Sequence, residues 1–90
     1  MRWKRRTVDS DGLRLAVRDS GGEGKSVVLI HGLGLGQRSW DRVASRLSTS
    51  GLRVVTYDLR GHGASDASKD YSPPEFERDL AALLEDLELH

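Results

Sequence analysis

The sequence predicts an α/β layered fold in which a β-hairpin leads into a β-α-β-α run. Three observations carry this reading. Asp11-Gly12 separates two alternating segments, Arg5 to Ser10 and Leu13 to Asp19, and Asp-Gly between extended segments is a strong hairpin signal. Two short aliphatic runs follow, Ser26 to Ile30 and Leu52 to Tyr57, with one helical pattern between them and another after. Strand, helix, strand in that order makes the two strands parallel and their crossover right-handed.

The hairpin opens in a basic stretch, Arg2, Lys4, Arg5 and Arg6, which reads as a solvated, charge-protected edge strand rather than a phosphate-binding surface. Ser26 to Ile30 is apolar on both faces, the pattern of a central parallel strand covered by a layer on either side. From Ser39 the period changes. Trp40, Val43, Ala44 and Leu47 fall at i, i+3, i+4 and i+7, one stripe of a helix A that stops before Gly51. Leu52 to Tyr57 then runs into the polar, glycine-bearing loop Asp58 to Asp70, where function is expected to sit. Ser72-Pro73-Pro74-Glu75 predicts the start of a second helix, with Ser72 as N-cap, Glu75 completing a capping box and proline in the first turn. Phe76, Leu80, Leu83, Leu84 and Leu87 share one face of it. The chain ends at His90 with no strand for this helix to lead into, which is a sign of truncation.

Composition narrows the function classes. Lys plus Arg and Asp plus Glu each total 14, so no overall field steers the chain toward nucleic acid or an anionic membrane. The absence of cysteine excludes a thiolate nucleophile and Cys-type zinc sites within these residues and fits a reducing, cytoplasmic setting. No apolar segment follows the basic start, so neither a signal peptide nor a membrane span is expected. No grouping of His, Asp and Glu has metal-ligand spacing, and neither a metal nor a cofactor is expected.

Residues 29–39, LIHGLGLGQRS, admit two readings: glycines that cradle a phosphate, or glycines that hold backbone amides ready for an oxyanion. Gly32-Leu33-Gly34-Leu35-Gly36-Gln37 follows a strand and precedes Asp58 by about the distance a dinucleotide fingerprint asks. Its spacing fails at the third glycine. The sixth position is Gln37 counted from Gly32 and Ser39 counted from Gly34, so neither frame puts a small residue where helix and strand must pack closely. A plainer reading, that the glycines only let the chain turn from strand to helix, also stands for this loop taken alone.

Taken together, VVLIHGLG, the helix bearing SW, the strand RVVTYD, DLRGHGAS and the helix DLAALLEDL resemble the N-terminal part of an α/β-hydrolase, from the hairpin to Leu89. The resemblance implies residues 1–90 as a partial domain of four strands and helices A and B, without a second domain. It implies the strand order 1-2-4-3-5, in which Ser26 to Ile30 would lie beside a fifth strand that carries the nucleophile and that this chain does not reach. Hydrolysis of an ester or related bond builds charge on an oxygen, and fixed backbone N–H groups stabilise it without reorganising. In this fold one such donor comes from the loop after the third strand. By resemblance His31, Gly32, Leu33 and Gly34 occupy that loop, with the Leu33 N–H as first candidate donor and Gly34 as second. Gly32 is expected because a side chain there would crowd the approach. Asp58-Leu59-Arg60-Gly61-His62-Gly63-Ala64-Ser65 resembles the family's D-x-R-G-x-G-x-S and implies architecture, with Asp58 and Arg60 bonding loop backbone.

The triad is absent. No G-x-S-x-G elbow exists. Gly63-Ala64-Ser65-Asp66-Ala67 is the nearest imitation, and it lacks the last glycine, so Ser65 is not read as a nucleophile. His31 and His62 read as loop residues bonding local backbone rather than general bases, and His90 as a chain end. The expectation is therefore the N-terminal segment of an α/β-fold hydrolase of a small molecule, inactive alone and engaging substrate only within a full-length protein, with a sheet edge open to self-association. Two alternatives stay open: a small non-enzymatic binding or assembly module with a half-hydrolase fold, and a dinucleotide-binding β-α-β unit.

Overall fold

The computed structural model describes residues 2–89, so His90 lies outside the described residues. The hairpin forms as the sequence predicts: β1 (Lys4–Ser10) pairs antiparallel with β2 (Leu13–Asp19) around a tight turn at Asp11 and Gly12. β3 (Ser26–Ile30) and β4 (Arg53–Tyr57) pair in parallel, and β4 closes onto β2 antiparallel. The strand order is β1-β2-β4-β3, the order that the family resemblance implies for its first four strands.

Two helices cover opposite faces. The first begins as a 3-10 turn (Gln37–Trp40) and becomes the α-helix α1 (Asp41–Thr49), so the helical period expected from Ser39 starts with a tighter turn. Ala44 is fully buried on it, whereas Val43 is 44% exposed, so the buried part of the stripe is centred on one small residue. The second helix, α2 (Pro73–Asp86), lays Leu83 onto a core of Val8, Leu15, Val17, Val55, Tyr57 and Leu59. Alternation along β4 sends Val55 and Tyr57 to that core, so Val54 and Thr56 face the opposite side.

One expectation is corrected. Ser72 is the N-cap of α2, but its side chain makes no cap bond, and the Glu75 carboxylate lies 3.4 Å from Arg60 instead of closing a capping box. The stronger pull is electrostatic, because Arg60 is a buried cation. β3, apolar enough for a central strand, is the open edge expected of an incomplete sheet, half-buried with Ile30 43% exposed. Its outer row of backbone groups has no strand partner among the described residues.

Candidate active site

The loop that leaves β3 is built around one turn. The Leu35 N–H donates to the Gly32 carbonyl at 3.1 Å, and Gly34 takes φ 83 while Leu33 stays outside the positive-φ region. That combination defines a type II turn, whose third position needs glycine because a Cβ there is strained. Leu33 sits at the exposed tip with 74% of its surface open, and no hydrogen-bond partner for its N–H is found among the described residues.

Two histidines tie this turn to the loop after β4. His31 is buried, and its Nε2 accepts the Leu59 N–H at 2.9 Å while its Nδ1 lies 2.8 Å from the Gly32 carbonyl. A carbonyl only accepts and an amide N–H only donates, so the ring is neutral with its proton on Nδ1. His62 repeats the arrangement in reverse: Nε2 accepts the Gly34 N–H at 2.9 Å, and Nδ1 donates to the Arg60 carbonyl at 2.9 Å. Each Nδ1 bonds local backbone, as expected of loop residues, whereas each Nε2 reaches 28 residues along the chain to the other loop.

Asp58 fills the start of the first helix. Its carboxylate, 6% exposed, accepts the Gln37 N–H at 2.8 Å, the Gln37 side-chain amide at 3.2 Å and the Ala64 N–H at 3.1 Å. An anion at a helix N-terminus is favourable, and here the protein supplies its own. This is the physical reason against the dinucleotide reading: the N–H that a pyrophosphate would use is occupied, and the acidic residue that would hold a ribose is committed. Gly63 permits the arrangement, since a Cβ at that position would overlap the Asp58 carboxylate.

Arg60 anchors the rest of the loop. Its guanidinium meets Asp79 through two bonds of 2.7 and 2.8 Å, donates to the Asp70 carbonyl at 2.9 Å, and is itself only 3% exposed. Hydrogen bonding to Asp79 raises the Arg60 pKa further above its usual value, outweighing burial, which acts the other way. Asp79 is fully buried and also accepts from Ser10 Oγ at 2.7 Å, so one carboxylate joins loop, α2 and β1. Ser65 spends its hydroxyl on the Asp58 carbonyl and accepts the Ala16 N–H at 2.9 Å. With both capacities used on backbone it is a strap between loop and hairpin.

The expected site residues therefore come together at one end of the sheet, with differences in detail. The Gly34 N–H, second candidate for an oxyanion donor, is taken by His62. At Gly32 a Cβ would meet only the Leu35 side chain at 3.7 Å, an ordinary contact, so within this chain nothing crowds that position. Sequence reasoning missed Asp79 and the buried Arg18, whose guanidinium bonds Gln37, Thr56 and Asp41 and stacks 4.3 Å from the Trp3 ring. The signal for Asp79 was present: it is a charge lying three residues after Phe76 and four before Leu83, within their apolar stripe.

The sequence pattern of the alpha/beta hydrolase family matches residues 27–89, and the chain belongs to that family. It is 38% identical over 82 residues to a non-heme chloroperoxidase of Streptomyces lividans, covering 89% of this chain and 30% of that protein. Among solved structures it is similar to an epoxide hydrolase of Vigna radiata, with a TM-score of 0.87 and 32% identity over 96% of this chain and 29% of that one. A bromoperoxidase of Bacillus anthracis superposes with a TM-score of 0.81 at 38% identity, covering 94% of this chain and 32% of that one. The chain thus spans less than a third of the length of these relatives.

Proposed function

We propose that this chain is the N-terminal segment of an α/β-fold hydrolase acting on a small molecule through an ester, lactone or related bond. It supplies the Leu33 backbone N–H as one half of an oxyanion hole. Nucleophile, acid and catalytic histidine come from sequence outside these residues, so the chain alone has no turnover. The observation that carries this reading is the Leu33 amide, without a partner among the described residues at the exposed tip of a turn in which the two amides that follow, Gly34 and Leu35, are bonded. A donor fixed in this way needs no reorganisation when charge forms, which is where oxyanion stabilisation gains its strength.

The test is to join residues 1–90 to the remaining segment of a related hydrolase and replace Leu33 by proline. Proline suits the second position of a type II turn, and the Leu33 N–H takes no part in closing that turn, so the substitution removes a donor and little else. The expected result is a fall in kcat of about 100- to 1,000-fold with KM nearly unchanged. An unchanged kcat rejects the role of this amide.

A second reading, a non-enzymatic binding or assembly module, is favoured by the open edge of β3 with Ile30 exposed. Self-association through that edge would make the sedimentation coefficient rise with concentration, and charging the edge by Ile30→Lys would abolish the rise. A monomer at all concentrations argues against it.

A further inference from the structure

His31 and His62 form a closed exchange between two loops. The histidine after β3 accepts an amide from the loop after β4, and the histidine after β4 accepts an amide from the loop after β3, in both cases through Nε2 at 2.9 Å. Each ring is locked in orientation by an Nδ1 bond to a carbonyl close by in its own loop, at Gly32 for His31 and at Arg60 for His62. The rings also pack on each other, with centroids 5.2 Å apart and planes inclined by 55°.

Two side chains in this way pair the Leu59 N–H, the Gly34 N–H and the Arg60 carbonyl, and give the Gly32 carbonyl a second partner besides the Leu35 N–H. At the buried bond from Leu59 to His31 a broken arrangement strands a donor, which favours the paired one, while the bond from Gly34 to His62 lies at the exposed end of the exchange. The bonds hold consecutive peptides: His31 holds the carbonyl of the Gly32–Leu33 peptide, to which the Leu33 N–H belongs, and His62 holds the N–H of the Leu33–Gly34 peptide, while the Leu33 N–H itself has no partner among the described residues. Rotating the Gly32–Leu33 peptide, which would re-aim the Leu33 N–H, breaks the His31 bond to its carbonyl, and rotating the Leu33–Gly34 peptide breaks the His62 bond. With both bonds made, neither peptide turns without losing one.

We propose that His31 and His62 are positioning residues, a reciprocal imidazole latch that fixes the direction of the Leu33 amide without touching a reacting atom. The reason for having this latch rests on the oxyanion role proposed above, but its existence does not. The latch makes two demands that a merely space-filling pair of rings would not make. Both imidazoles are neutral with the proton on Nδ1, and both Nε2 atoms are acceptors from a named backbone nitrogen. Breaking one half also loosens the other, since each ring packs against its counterpart and each loop is held by the opposite ring.

NMR on the 90-residue chain with uniform nitrogen-15 labelling tests this. Nitrogen–nitrogen couplings across the hydrogen bond are expected between Gly34 N and His62 Nε2 and between Leu59 N and His31 Nε2, together with imidazole shifts of the Nδ1–H tautomer for both rings. In His62→Leu the Leu59 amide, remote in sequence from Gly34, is expected to exchange with solvent about tenfold faster, as loss of one hydrogen bond's worth of protection gives. His62→Gln, which keeps an acceptor oxygen near the place of Nε2, is expected to restore it. Absence of both couplings, or an Nε2–H tautomer on either ring, overturns the latch. So does a folded His62→Leu chain whose Leu59 exchange is unchanged. If His62→Leu does not fold, the wild-type couplings and tautomers decide alone. These readouts concern the latch only, and the Leu33→Pro kinetics concern the use of the amide, so the two proposals can fail separately.

Discussion

Replacing Asp79 by alanine should be among the most damaging changes available to this chain, and its size follows from what the carboxylate touches. Asp79 has no exposed surface, accepts two bonds from Arg60 at 2.7 and 2.8 Å and takes a third from Ser10 Oγ at 2.7 Å. Removing it leaves a guanidinium that is 3% exposed facing only Glu75 at 3.4 Å and polar loop groups. Breaking a buried pair on one side costs about 3–5 kcal/mol, because the remaining charge is stranded, whereas replacing both partners by apolar groups is often nearly neutral. Residual pairing with Glu75 puts Asp79→Ala at about 3 kcal/mol, a large part of the total for a domain of this size. Urea unfolding followed by circular dichroism reads the loss as a lower midpoint with an unchanged slope. The double variant Arg60→Met, Asp79→Leu is expected to recover at least half of it. A single-variant cost below about 1 kcal/mol, or additive losses in the double variant, would refute the stranded-charge reasoning.

Other perturbations have equally definite outcomes. Burial pushes the Asp19 carboxyl up, but its bonds to Arg53 and to the Gly21 N–H, with the charges of Arg53 and Arg6, together hold it below the ordinary 3.8. A depressed folded pKa stabilises the fold above the unfolded value and stops doing so as pH falls through the folded one, so acid titration should show a loss below about pH 4 that is smaller in Asp19→Asn. Burial, aided by the Asp79 charge, pushes the Tyr57 phenol up to about 12 from 10.0. A raised folded pKa gives stability that is complete below the unfolded value and is lost above it, so unfolding at pH 10 to 12 should lose on the order of 2 kcal/mol, a limb absent in Tyr57→Phe. Gly63→Ala drives a methyl into the Asp58 carboxylate at a residue with φ 51 and should cost about 1–3 kcal/mol by thermal unfolding. Ser65→Ala should lower stability by about 1–3 kcal/mol through the stranded Ala16 N–H and leave the kcat of the joined hydrolase intact, which separates a strap from a nucleophile.

Hairpin, parallel pair and both helices were legible because each rests on local signals: Asp-Gly at the turn, β-branched runs in β3 and β4, and 3.6-residue periodicity in α1 and α2. The DLRGHGAS loop was legible as architecture through its resemblance to the family's D-x-R-G-x-G-x-S, with Asp58 and Arg60 bonding loop backbone. What escaped was long-range polar pairing. Arg60 with Asp79, Arg18 with Asp41 and Gln37, and the crossed histidines join residues whose partners are set by how layers stack, and no spacing along the chain encodes that. Ser72 shows the converse failure, a capping box with the right letters whose glutamate is drawn away by a buried arginine that the local pattern does not contain.

Hydrogen exchange at Leu33 addresses the central claim most directly. In the 90-residue chain under native conditions, the Leu33 amide is expected to exchange at nearly the rate of an unstructured peptide, while Gly34 and Leu35, the next two residues of the same turn, are protected by their bonds to His62 and Gly32. Protection of Leu33 equal to that of its two neighbours would mean that its N–H is already spent inside the protein. No oxyanion could then be its partner.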